Sequence, residues 1–208
     1  MKKVLLIALA TMMSVMSSFA QESEKPKKKM PTSAKYFTSL KAVTKEAAKY
    51  DAAIFVVAVG KGSPAEDIVK KLTKHRFFQE LASKAFFVYT MRVPLSKKEK
   101  DIDGRSPKPL YEKLSADDNA LLDVICPADK VRKLPVFGMV SSDAKELKIK
   151  PVDMPRPPAP NAEYFGQYLQ NLQSAAQAYG IDIEMSKAMV KYIENPPQEK
   201  KNKSKKKK

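Results

Sequence analysis

The chain has 208 residues, with 39 Lys and Arg against 23 Asp and Glu and a formal net charge of +16 at pH 7. A single Cys excludes an intramolecular disulfide, so stability must come from an ordinary core, which this length can supply. One His and one Cys also argue against a zinc site of ordinary ligand types, and any Ser-His-acid catalysis would have to use His75, which lies between Lys74 and Arg76 with no nucleophile-elbow pattern near it.

Residues 1–20 read as a secretory signal. Lys2 and Lys3 precede an apolar stretch, and Ser18-Phe19-Ala20 ends in a small residue before Gln21. The stretch is too short and too interrupted by Ser and Thr to span a bilayer well, so export to a periplasm or the extracellular space is expected. Removing Lys2 and Lys3 lowers the net charge to +14. The excess sits at the ends, in a basic flexible linker over 21–31 and a disordered Lys-rich tail over 196–208. The body between them is only mildly basic.

Helical spacing over 32–50 puts Tyr36, Phe37, Leu40, Val43 and Ala47 on one stripe. Residues 53–59 form a continuous apolar run rich in β-branched side chains, which reads as a central strand covered on both faces. Ser63 then caps a helix, with Pro64 at its first position and Glu66 three residues after the cap as a capping box. Ile68, Val69 and Leu72 supply its buried stripe. A second helical piece follows over 75–84, and a strand over 85–92. His75 reads as a surface or helix-boundary residue.

Pro94, Gly104, Pro107 and Pro109 break the pattern, so 94–112 is expected to be a surface-loop insertion. Ser115 with Asp118 starts a helix carrying Leu121, Leu122 and Ile125, which Pro127 ends. Strands over 135–141 and 146–152 are joined by a turn at 142–144. Residues 154–160 form a polyproline-like bridge. Asn161 caps a long helix ending at Gly180, and an extra C-terminal helix lies over 183–193 within the segment 181–195. The order predicts an α/β fold, a mixed sheet with helices on both faces.

Over 32–180 this pattern resembles the thioredoxin-like superfamily, particularly its exported bacterial members. The most specific piece is Val131-Arg132-Lys133-Leu134-Pro135-Val136-Phe137, which is similar to the family's Val-x-x-x-Pro-x-Phe segment. The resemblance implies a cis proline at Pro135 facing the family's redox motif. It departs at that motif: Ser63-Pro64-Ala65-Glu66 stands where the family has Cys-x-x-Cys, and its common neighbouring Trp is absent. A dithiol needs a sulfur at a helix start, where the dipole favours the thiolate; a hydroxyl at Ser63 cannot cycle through a disulfide.

No catalytic residue, cofactor or metal is therefore expected. The resemblance implies instead a redox-inactive binding or scaffold module, holding a client peptide or protein by strand addition in a groove between Ser63-Pro64 and Leu134-Pro135. A second expectation is electrostatic attachment to anionic glycans, lipid head groups or nucleic acid through Lys200, Lys201, Lys203, Lys205, Lys206, Lys207 and Lys208, the alternative being a solubilising tail without a partner. No aromatic residue interleaves with these lysines, which argues against base stacking. A third is a monothiol oxidoreductase using Cys126. That residue reads best as a buried small hydrophobe, and it lies at a helix end rather than a helix start.

Overall fold

A computed structural model describes residues 29–101, 104–127, 132–149, 154, 162–178 and 180–197. The signal, residues 21–28 of the basic linker, the polyproline bridge apart from Met154, the Asn161 cap and residues 198–208 of the Lys-rich tail expected from the sequence lie outside these residues. Among the described residues no helix is long and apolar enough to cross a membrane.

The architecture is α/β, with helices on both faces of one mixed sheet. Its strands are β1 (Tyr36–Phe37), β2 (Ala53–Gly60), β3 (Phe86–Val93), β6 (Val136–Val140) and β7 (Leu147–Ile149), in the order β1-β3-β2-β6-β7. β3 pairs parallel with both β1 and β2. β6 pairs antiparallel with β2, and β7 with β6. The helices are α1 (Leu40–Ala47), α2 (Pro64–Lys74), α3 (Arg76–Ala85), α4 (Ala116–Ile125), α5 (Ala162–Ala178) and α6 (Lys187–Glu194). Strands β4 (Leu95–Lys100) and β5 (Pro107–Pro109) make a separate two-stranded sheet.

Every residue of β2 is buried. The twofold side-chain alternation of a strand sends Phe55, Val57 and Val59 into one core, shared with residues of α2, α3, α5 and α6. Ile54, Val56 and Ala58 enter the other, shared with α1 and α4. Phe55 is the aromatic hub of the first core, with its ring 5.5 Å from that of Phe86, 5.6 Å from Phe78 and 6.3 Å from Phe137. Burying each such side chain contributes about 1.5–3 kcal/mol.

Three boundaries differ from the sequence reading. Tyr36 and Phe37 do not begin the first helix; they form the short edge strand β1. Ser39 stops the helix from extending further back, because its side chain takes the Ala42 N–H at 3.4 Å as an N-cap. The insertion is more ordered than a loop. β4 and β5 pair antiparallel across a register shift, with Leu95 opposite Pro109 and Lys100 opposite Pro107, and the Leu110 N–H donates to the Pro94 carbonyl at 2.9 Å. The extra C-terminal helix begins later than residue 183, at Lys187, where Ser186 caps it by accepting from the Met189 N–H at 3.2 Å.

Gly138 on β6 is required by close approach. A Cβ there would lie 2.5 Å from Ile125 Cγ2 and 2.9 Å from Ile125 Cβ, and Ile125 is fully buried on α4. Gly138→Ala must therefore push α4 off the sheet, and is expected to cost about 1–3 kcal/mol. Urea denaturation of the two proteins measures it; equal midpoints would show that α4 can shift without cost.

Candidate functional site

The site is built where β2 ends. Gly60 closes the strand, and the Lys61 N–H donates to the Val93 carbonyl at 2.8 Å. Gly62 has φ +77°, a left-handed conformation that glycine adopts without steric cost. The Ser63 N–H returns to the Gly60 carbonyl at 3.0 Å and closes the turn. Ser63 is the N-cap of α2 and accepts from the Glu66 N–H at 3.4 Å, with Pro64 at the helix start.

The Glu66 carboxylate does not complete the expected box at the Ser63 N–H. It accepts instead from the Gly62 N–H at 2.7 Å. Its other oxygen lies 3.0 Å from Arg92 Nε on β3 and 3.7 Å from Lys70 Nζ. Only 7% of Glu66 is exposed. The Gly62 N–H holds its carboxyl below the usual carboxylate range, against the opposing effect of burial, and Lys70 and Arg92 add to the depression. The first turn of α2 thus carries a fixed negative charge tied to the strand beside it.

The second wall is the segment entering β6. Arg132 anchors it: its Nε donates to the Cys126 carbonyl at 2.7 Å, and its guanidinium pairs with Asp123 and lies 5.7 Å from the centre of the Tyr111 ring. The Tyr111 hydroxyl donates in turn to the Arg132 carbonyl at 3.0 Å, and burial pushes that phenol up to about 12. Lys133 and Leu134 follow, and the Leu134–Pro135 peptide bond is cis. Among the described residues, no hydrogen bond engages the Leu134 backbone N–H or carbonyl.

The β4–β5 hairpin is the third wall. Leu95 packs where Gly60 has no side chain; a Cβ on Gly60 would lie 2.9 Å from Leu95 Cδ1. Asp101, Ser106, Pro107 and Pro109 complete this side. The three walls enclose a cleft of about 250 Å³.

Of the groove residues predicted from the sequence, Ser63, Pro64 and Leu134 line this one cleft, from two separate parts of the chain. Pro135 is exposed next to it and is not among the lining residues. The hairpin wall was missed. The alternation Pro107-Lys108-Pro109 reads as loop punctuation, although prolines spaced by two also suit an edge strand. Cys126 is half-buried at the end of α4, packs against the second core and does not line the cleft. His75 is the boundary residue expected; it caps α3, its ring centre lies 3.8 Å from that of Phe165 with the planes tilted by 42°, and burial lowers its pKa with help from Arg76. Among the described residues, no group of three or more His, Cys, Asp or Glu side chains is placed to hold a metal ion. The terminal lysines, Lys200 to Lys208, lie outside the described residues.

Removing the Glu66 carboxylate breaks a buried charged hydrogen bond, so Glu66→Ala is expected to lose about 1.5–3 kcal/mol at neutral pH. Because the carboxyl is held below 4.5 in the folded state, its contribution is full above that pH. It is lost as pH falls through the folded value. Urea melts at neutral and acidic pH should show the two proteins converging in acid; a gap that stays constant would mean that the charge of Glu66 contributes nothing.

No protein-family model, no curated protein and no solved structure matches this chain.

Proposed function

We propose that this is an exported thioredoxin-like domain without dithiol chemistry, which holds an extended peptide in the cleft between the start of α2 and Leu134. The observation that carries the reading is the meeting of Ser63, Pro64 and Leu134 in one cleft, beside a Leu134 backbone with no hydrogen-bond partner among the described residues. A free N–H and carbonyl next to the end of a strand is what strand addition uses, and it needs no sulfur. The parallel β2–β3 crossover and the terminal antiparallel β6–β7 pair support the family reading.

The chemistry of the turn points the same way. Ser63 offers a hydroxyl where redox exchange needs a thiolate, and Glu66 puts a carboxylate in the same helical turn, which opposes an anionic nucleophile there.

Titration of a labelled pool of short extended peptides tests this. The native chain should bind, and Leu134→Glu should weaken binding about tenfold or more, with Leu134→Ala intermediate. Neither variant should reduce insulin above the uncatalysed rate, nor should the native chain. Peptide affinity indifferent to both substitutions, in proteins that melt normally, would sink the reading, and turnover of insulin would replace it with a thiol enzyme.

A further inference from the structure

His75 takes no part in the cleft, and it is the only histidine of the chain. It is the single residue between α2 and α3. Its N–H ends α2 on the Leu72 carbonyl at 3.0 Å, and its carbonyl accepts the Gln79 N–H of α3 at 3.0 Å. Its ring nitrogen Nδ1 accepts the Phe77 N–H at 3.4 Å, which makes the side chain the N-cap of α3. A neutral imidazole accepts there only with its proton on Nε2. An imidazolium, protonated on both nitrogens, cannot accept at all.

The C-terminal helices close over this half-buried ring. Its centre lies 3.8 Å from that of Phe165 on α5, 5.5 Å from Tyr192 on α6 and 5.8 Å from Phe77. The Tyr192 and Phe77 rings are 4.9 Å apart. α6 sits tightly on α5, where a Cβ on Gly166 would lie 3.3 Å from Ile193 Cα. One ring is thus shared by the α2–α3 joint and by both helices packed on it.

Among the described residues no carboxylate pairs with the ring. Arg76, with its guanidinium 4.3 Å from the Phe77 ring centre, is the charge that acts on it and on Tyr192. Lys74 at the end of α2 is also positive and is exposed. On α3, Glu80 is held by Lys84 at 3.1 Å and by the Ser186 hydroxyl at 3.0 Å. The described side chains of α5 carry no charge, and burial pushes its Tyr168 phenol up. On α6, Lys191 and Glu194 are exposed and opposite in sign. Burial, with Arg76, holds the imidazole below its ordinary value of 6.5. What the neutral ring contributes is therefore full above that pH and is lost as pH falls through the folded value.

From this arrangement we infer that His75 is an acid-sensitive latch: protonating its ring uncaps α3 and loosens the seat of α5 and α6 on the α2–α3 joint. Leu169, Leu172 and Met189 hold the two helices in the first core without charge, so acid loosens this end and does not release the pair.

Proton NMR of the full-length chain follows the lone imidazole directly, and amide exchange on the same samples follows Phe77 and α6. The imidazole should titrate below 6.5. Across its midpoint, the protection of the Phe77 N–H and of α6, corrected for intrinsic exchange, should fall about two- to tenfold, the worth of one hydrogen bond. Protection of β2 should hold. His75→Asn keeps a capping acceptor that does not titrate and should abolish the step, with its melting temperature at neutral pH as the folding control. A titration at or above 6.5, or protection unchanged across the midpoint, would overturn the latch. A step of the same size in His75→Asn would assign it to another group and overturn it as well. Where that variant does not fold, the native chain decides alone: a step that coincides with the imidazole midpoint supports the latch, and one displaced from it overturns it.

Discussion

The structure depends on the burial of β2 on both faces. A strand without a wet side must satisfy its backbone groups by pairing, and β2 pairs with β3 over its whole length and with β6 from Ile54 to Ala58. Its side chains fill two cores at once, so neither helical layer can form without it. The place where β2 stops then determines the rest. Gly60 must remain bare for Leu95 to pack, the next N–H is taken by Val93, and the chain turns through Gly62 into α2. The cleft is the space left where a fully buried strand runs out of partners.

Much of this was legible in the residues. The continuous run of 53–59 could only be a doubly covered strand, and Ser63-Pro64 with Glu66 marked the start of α2 through the chemistry of orphan N–H groups. Local signals of this kind survive into the structure because they are satisfied locally. Tyr36 and Phe37 were misread because two apolar neighbours suit a helix stripe and a two-residue strand equally; the pairing of β1 with Val88 and Tyr89, far away in sequence, decides between them. The hairpin was invisible for a related reason. β4 is mostly Ser, Lys and Glu and buries little, so it has no apolar alternation to read. Its order comes from packing against the end of β2.

The partner taken by Glu66 could not be read from the sequence either. A capping box directs an acid at this spacing toward the N–H of the cap residue, but the left-handed turn at Gly62 presents a different N–H at 2.7 Å. Arg92, brought alongside by the β2–β3 pairing, makes the buried charge tolerable. A carboxylate out of water is costly unless it is both hydrogen-bonded and paired, and Glu66 is both. The positive end of α2 is therefore already answered by a fixed side chain. A free helix end would recruit an anion or stabilise a thiolate; the Glu66 carboxylate beside this one opposes either role.

A two-stranded hairpin is marginally stable on its own, and this one gains little from its exposed, charged β4 face. It holds its place through Leu95 against Gly60 and through the backbone bond from Leu110 to Pro94. Its prolines blunt an edge that would otherwise invite pairing. The wall is thus anchored to the strand end that opens the cleft. An element built this way narrows the cleft beside Ser63 and Leu134, and its prolines leave Lys108 as the one residue of β5 with a backbone N–H.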